Sequence, residues 1–149
     1  MTKIITNNTG VSWSRFANEL LDPAGDGNDA DDPVPQPGFV PAGFSTSNDN
    51  DGLSFAQGSG IARTSTSFTD VFSDELTDAR DFIDFFNGTV ADGGSDTVSF
   101  GLRNNISPAN EPFLLVQRPN QSSRDLPVPG TLALVALGLL GLRASRRQG

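Results

Sequence analysis

The sequence predicts an all-β protein, a small antiparallel β-sandwich followed by a single short C-terminal transmembrane helix. The chain is rich in turn-forming residues, with 16 Gly and 10 Pro, and its apolar residues fall in about seven short segments between turn signals. An apolar run close to the C-terminus predicts the helix. At 149 residues the chain has room for one small domain and an appendage, so residues 1–120 are assigned to a sandwich ectodomain.

The first two predicted strands are residues 3–6 and residues 13–21, separated by a turn at residues 7–10 (NNTG). In a strand, alternation places Phe16 on one face of the second segment and Trp13 on the other. The spacing of these two residues also fits a short amphipathic helix, and periodicity alone leaves both structures open. We expect a strand.

The later strands are predicted from apolar segments bounded by turn signals such as Asn87-Gly88 and Asp92-Gly93-Gly94. They are residues 53–56, 61–72, 81–86, 96–103 and 112–117. Residues 97–102 alternate most cleanly, which fits a strand with one face on a core and one in water. Residues 73–86 also contain helix-favouring residues, with Ser73 as a cap, so a helical turn is expected there before the strand.

Residues 22–50 are almost free of large aliphatic side chains and dense in Asp, Gly and Pro, which predicts a long acidic loop. Its carboxylates are weak candidates for a Ca²⁺ site, because hard cations take several oxygen ligands from a flexible loop. The candidates are Asp22, Asp26, Asp29, Asp31 and Asp32. The spacing does not fit an EF-hand, since Ala30 falls at its fifth position and no glutamate closes the loop. A solvated loop without metal is the simpler interpretation, so no cofactor is expected.

The charge and composition exclude several classes of function. The formal net charge is −8, and because Arg143, Arg146 and Arg147 lie at the C-terminal end, residues 1–142 carry −11. Such a surface repels phosphate backbones, so no nucleic-acid partner is expected. The chain has no Cys and no His, which removes thiolate nucleophiles and the usual general base.

A catalytic carboxylate pair is the remaining route to an enzyme, as in glycoside hydrolysis. The candidates are Asp74, Glu75, Asp78, Asp81 and Asp84. No Trp or Tyr lies near them in the sequence to hold a sugar ring. We therefore expect that the protein is not an enzyme.

Residues 126–149 have the order of a membrane-inserting tail and follow a polar linker at residues 121–125. A proline motif comes first, then the apolar residues 131–142 (TLALVALGLLGL), then the arginines. Counted from Gly130, the apolar run of about 13 residues spans roughly 20 Å, against a hydrocarbon core of about 30 Å. The extended residues before it add roughly 12 Å and Arg143 can snorkel, so a single pass is feasible. The arginines would stay in the cytoplasm and the body would face outward.

The alternative is that this run is a buried helix in the core of a soluble protein. A core helix should have a polar face, and the run has no polar residue beyond Thr131. The position beside an arginine cluster also favours membrane insertion.

The tail resembles the PEP-CTERM sorting signal, in which a Pro-Glu-Pro-like tripeptide precedes an apolar helix and terminal arginines. The residues at the motif positions are Pro127, Val128, Pro129, Gly130 and Thr131, and the membrane stop is Arg143, Arg146 and Arg147. The family usually has Glu where Val128 stands. The resemblance implies an exosortase as partner, a membrane enzyme that reads such tails and removes them. It also implies insertion into the bacterial inner membrane and then transfer to the cell surface or extracellular polymer.

The body is similar to the β-rich ectodomains that precede such tails, in residues 7–13, 84–95 and 112–119. Such a protein should begin with a secretory signal peptide, but residues 1–10 lack an apolar h-region. We therefore expect that Met1 is an internal or misplaced start, with a signal peptide and a further strand upstream. One sheet edge would then lack its neighbour.

Taken together, these features predict a non-enzymatic exported protein of the cell surface or extracellular matrix, processed by an exosortase. The alternative is a surface module that binds polysaccharide or Ca²⁺ through the acidic loop and an exposed sheet face.

Overall fold

The computed structural model describes residues 1–23, 40–47, 51–74, 80–105 and 112–121, and these residues form antiparallel strands with no helix among them. The prediction of an all-β fold is therefore confirmed. The strands are β1 (Thr2–Thr6), β2 (Trp13–Pro23), β3 (Phe44–Thr46), β4 (Leu53–Ser54), β5 (Thr64–Ser65), β6 (Phe68–Asp74), β7 (Phe82–Val90), β8 (Ser95–Ser99), β9 (Arg103–Asn104) and β10 (Leu114–Pro119).

The described strands form three antiparallel sheets. The largest has the order β10-β2-β7-β6, with β3 paired to the far end of β2. A three-stranded sheet has the order β1-β8-β5, and β4 pairs with β9. Consecutive strands β7 and β8 therefore lie in different sheets, as do β5 and β6, and a short corner joins the strands of each pair.

Strand β2 is the centre of the largest sheet and confirms the strand predicted for residues 13–21. Its eleven residues pair with β10 on one side and with β7 and β3 on the other. The predicted opposition of Trp13 and Phe16 is wrong. The register shifts between Trp13 and Arg15, so strict alternation fails there, and the two rings stack with centroids 5.7 Å apart.

One hydrophobic core joins the sheets. Phe16 and Leu20 of β2, Ile83 and Phe85 of β7, and Val98 of β8 are each at most 3 % exposed and belong to one cluster. Burying a side chain of this size stabilises the fold by about 1.5–3 kcal/mol. Val98 and Phe100 contact this core, as the alternation predicted for residues 97–102 requires. The strand predicted for residues 96–103 is shorter, because β8 ends at Ser99 and Arg103–Asn104 form β9 in another sheet.

Two further predicted elements have different boundaries in the structure. Residues 61–72 were predicted as one strand, but they contain β5 and the start of β6, which belong to different sheets. The predicted acidic loop is shorter, because β2 extends to Pro23 and Phe44–Thr46 form β3 against it. Short polar strands of this kind depend on the neighbour that they pair with, and composition alone does not show the neighbour.

Two predictions around β7 are wrong. Asn87-Gly88 does not end a strand: both residues lie inside β7, where Ser14 of β2 stands opposite residues 87–89 in an irregular stretch. Asn87 has a φ of 56°, so the turn-forming residue serves a bulge instead. Ser73 does not cap a helix, because it lies in β6. The helical turn expected after it falls on residues 75–79, outside the described residues.

Strand β1 lies at an edge of its sheet, with β8 as its neighbour among the described strands. The signal peptide and further strand expected upstream stay predictions.

Candidate functional site

A buried ionic cluster lies on the largest sheet. Glu19 of β2 is 0 % exposed, and its carboxylate contacts two guanidinium groups. Arg80 donates to Oε1, and Arg118 of β10 donates to Oε2 at 2.5 Å. Both arginines are 8 % exposed. Because both carboxylate oxygens are engaged, the cluster joins β2, β10 and the start of β7 rather than offering a free acid or base.

Of the carboxylates that were candidates for catalysis, the two whose side chains the structure describes do not lie at the surface. Asp81 and Asp84 are both fully buried. Asp84 lies 3.7 Å from the guanidinium of Arg15, and Asp81 accepts a hydrogen bond of 2.8 Å from the Ser47 hydroxyl. The Asp74 side chain, Glu75 and Asp78 lie outside the described residues. The two described members are therefore internal partners of other polar groups.

Asp96 holds the corner where the chain passes from β5 to β6. It is 1 % exposed, and its carboxylate accepts hydrogen bonds from the hydroxyls of Ser65 and Thr66 and from the backbone N–H groups of Thr66 and Ser67. Burial raises the pKa of Asp96, but these hydrogen bonds together outweigh it and hold the pKa below its usual value. The charged form is thus the one that the fold favours.

This arrangement predicts a pH-dependent stability. Asp96→Asn should lower the free energy of unfolding by about 1–3 kcal/mol at neutral pH. The amide NH2 group would replace a carboxylate oxygen that accepts hydrogen bonds from the Ser65 and Thr66 hydroxyls. The contribution of the lowered pKa is present above the unfolded value of about 3.9 and is lost as the pH falls through the folded value. Thermal melts from pH 7 down to pH 2 should therefore show the wild type and the variant converging in acid.

Asp92→Asn is the matched control, since Asp92 is exposed and accepts one backbone hydrogen bond, from Gly10. Its melts should follow those of the wild type. If the melting temperatures of Asp96→Asn and the wild type differ by the same amount at every pH, the charged form of Asp96 does not stabilise the fold.

A cavity of about 330 Å³ lies beside the same corner and is lined by residues 63–71 and Phe85. Its wall is rich in hydroxyl groups. Those of Ser65 and Thr66 already donate to Asp96, so they build the corner rather than a set of free ligand contacts.

Asn120 follows directly after β10 and precedes Gln121, where the described residues end. The Asn120 backbone N–H donates to the Arg15 carbonyl at 2.9 Å. Its side chain accepts from the Ser14 N–H at 2.8 Å and donates to the Ser12 carbonyl at 3.1 Å. Asn120 has a φ of 56°, a conformation that Asn tolerates better than most residues and that turns the chain away from the strand. Asn120 therefore fastens the end of β10 to the start of β2.

The loops around Asn120 are also tied together. The predicted turn at residues 7–10 is confirmed, and Asn7 at its start is fully buried. The Asn7 amide donates to the carbonyls of Val11 and Val90, and its backbone pairs with Gly93 and Gly94. We call this region, residues 7–12, 91–94 and 119–121, the exit end of the body.

The cation site predicted from the acidic loop is not described by the structure. Asp26, Asp29, Asp31 and Asp32 lie outside the described residues. Asp22 is buried in β2 and accepts a hydrogen bond of 3.4 Å from Ser45. Within the part of the chain that the structure describes, no group of three or more acidic, His or Cys side chains is placed to hold a metal ion.

The predicted sorting motif and membrane stop, residues 127–131 with Arg143, Arg146 and Arg147, also lie outside the described residues. In the described ranges, no helix has the length and the hydrophobicity needed to span a bilayer.

Sequence reasoning missed Glu19, Asp96 and Asn120, which carry most of the polar architecture. A weak signal existed for the first, since a charged residue interrupts the apolar strand β2. The partners of Glu19 could not be identified, because Arg118 is 99 positions away in the chain.

Comparison with known proteins gives one match. The family model of the PEP-CTERM protein-sorting motif matches residues 125–148. No curated protein and no solved structure matches the chain. The predicted resemblance of the tail is thereby confirmed.

Proposed function

From the PEP-CTERM sorting motif at residues 125–148 we propose that this is a non-enzymatic surface or matrix protein, which an exosortase processes after export. The motif match is the observation that carries the proposal, because a PEP-CTERM tail implies an exported protein with an exosortase as processing partner. The β-rich body is the part that is delivered, and residues 126–149 are the part that is removed.

The body relies on internal ion pairs and hydrogen bonds such as those of Glu19 and Asp96. The core shared between the sheets supports a sandwich that folds independently of the tail. Such a body would stay intact when the tail is removed.

The tail supplies two separable signals under this proposal. Residues 131–142 insert into the inner membrane because they are apolar, and Arg143, Arg146 and Arg147 hold the C-terminal end on the cytoplasmic side. Pro127 and Pro129 lie on the outer side, where the exosortase reads them. Membrane insertion therefore depends on the apolar run, and cleavage depends on the prolines.

The expected result for Pro127→Ala with Pro129→Ala is loss of processing with membrane association intact. The variant is made in the native gene, in cells with and without the exosortase. The mass of the product reports cleavage, and alkaline carbonate extraction reports membrane insertion. The wild type should lose its tail only when the enzyme is present, and the uncut chain should stay with the membranes.

The chain offers a matched control, because Pro33-Val34-Pro35 repeats the tripeptide Pro127-Val128-Pro129 in the acidic loop. Pro33→Ala with Pro35→Ala should be processed at the wild-type rate. An uncut wild type that extracts as a soluble protein, whether or not the exosortase is present, would refute the proposed function.

A further inference from the structure

We propose that Asn120 is a positioning residue for exosortase processing, because it fixes the length of the tether between the folded body and the sorting motif. This inference rests on the proposed function and adds a geometric requirement to it. The enzyme must act on its motif while the exit end of the body lies close to it.

The first step is the rigidity of the attachment. Strand β10 is paired with β2 as far as Pro119, which stands opposite the buried Phe16. Asn120 then adds four hydrogen bonds to residues 12–15, three of them through its side chain. The chain is thus fastened up to Asn120. The sorting motif begins at residue 125, so four residues, 121–124, separate the two.

The second step is the reach of this tether. Seven Cα–Cα steps join Asn120 to Pro127, and a fully extended chain of that length spans at most about 25 Å. The exit end must therefore lie within that distance of the site that reads the prolines. A tether that cannot span the distance from the exit end to the reading site presents the motif there at almost no effective concentration.

The third step is the character of the surface that faces the enzyme. The body carries a strong negative charge, yet Asp92 is the single charged side chain in the exit end, that is, among residues 7–12, 91–94 and 119–121. Val11 is 57 % exposed there. Charge repulsion therefore opposes close approach to a membrane enzyme and its anionic lipids far less at this end than the net charge suggests.

Shortening the tether is the first arm of the test. Deletion of Ser122, Ser123 and Arg124 from the full chain leaves four Cα–Cα steps, or about 14 Å, between Asn120 and Pro127. Pulse-chase labelling in cells with the exosortase should show processing slowed about tenfold or more. The length-matched control, Ser122→Gly with Ser123→Gly and Arg124→Lys, should be processed at the wild-type rate.

The second part of the test removes the side-chain hydrogen bonds of Asn120. Asn120→Gly keeps the positive φ but removes the three side-chain hydrogen bonds, so the end of β10 can separate from β2 and lengthen the tether. Added to the deletion, it should restore processing several-fold. Asn87→Gly is the matched control, since Asn87 has the same φ of 56° and lies in β7. It should restore nothing.

The outcomes separate the two proposals. If the wild type is not cut, the proposed function fails and the tether inference fails with it. If the wild type is cut, the tether inference is overturned in three cases: the deletion is processed at the wild-type rate, Asn120→Gly does not restore it, or Asn87→Gly restores it equally well.

Discussion

Glu19→Ala is expected to destabilise the body by about 3–5 kcal/mol, which is comparable to the whole stability of many small domains. The substitution removes the carboxylate that Arg80 and Arg118 both contact, and each of these guanidinium groups is only 8 % exposed. Two buried cations would then face each other without the anion between them. Chemical denaturation followed by tryptophan fluorescence measures the loss, since Trp13 lies in the core.

The control for this prediction is Asp70→Ala, which removes an exposed carboxylate bonded to the Asn87 amide. Its effect should stay within about 0.5–1 kcal/mol. A loss of less than about 1 kcal/mol for Glu19→Ala would mean that water reaches both arginines and that the cluster is not the junction described above.

Gly88→Ala is expected to cost about 3 kcal/mol or more, for a reason of space rather than conformation. A Cβ atom at this position would lie 2.0 Å from the Ser67 carbonyl oxygen and 2.8 Å from the Phe68 Cα. Both are backbone atoms of the β5–β6 corner, so no side chain can rotate away. The corner or β7 must move, and Asp96 would lose its alignment with Ser67. The same denaturation assay measures the effect.

Gly58→Ala is the matched control. Gly58 has a φ of 77°, but a Cβ there meets no atom within 4 Å, so its cost is conformational and about 1 kcal/mol. Equal effects of the two substitutions would show that the close approach of Gly88 to the corner does not determine the packing of the two strands.

The local elements of the fold were largely predictable. Strand β2 was expected because apolar residues recur along residues 13–21, and the turn at residues 7–10 was expected from its Asn and Gly. The errors occurred where a local signal competes with a distant partner. Asn87-Gly88 has the composition of a hairpin turn, but the neighbouring strands hold it inside β7 as a bulge.

Strand β3 shows the same limit in a polar segment. Residues 44–46 have little hydrophobic pattern of their own and were assigned to a loop. They are a strand because the far end of β2 offers them a backbone to pair with. Backbone hydrogen bonds between strands do not require an alternating pattern of apolar side chains, and that pattern is what predicts a strand from a sequence.

The sequence by itself determined the all-β class and the tail, because both depend on local order: short apolar segments between turns, and a proline motif followed by an apolar run and arginines. Only the tertiary structure decided which polar residues matter. Glu19, Asp96 and Asn120 are ordinary in the sequence, and each acquires its role from partners far along the chain. A buried charge or amide is stable only with its partners in place, and the pairing of strands selects those partners.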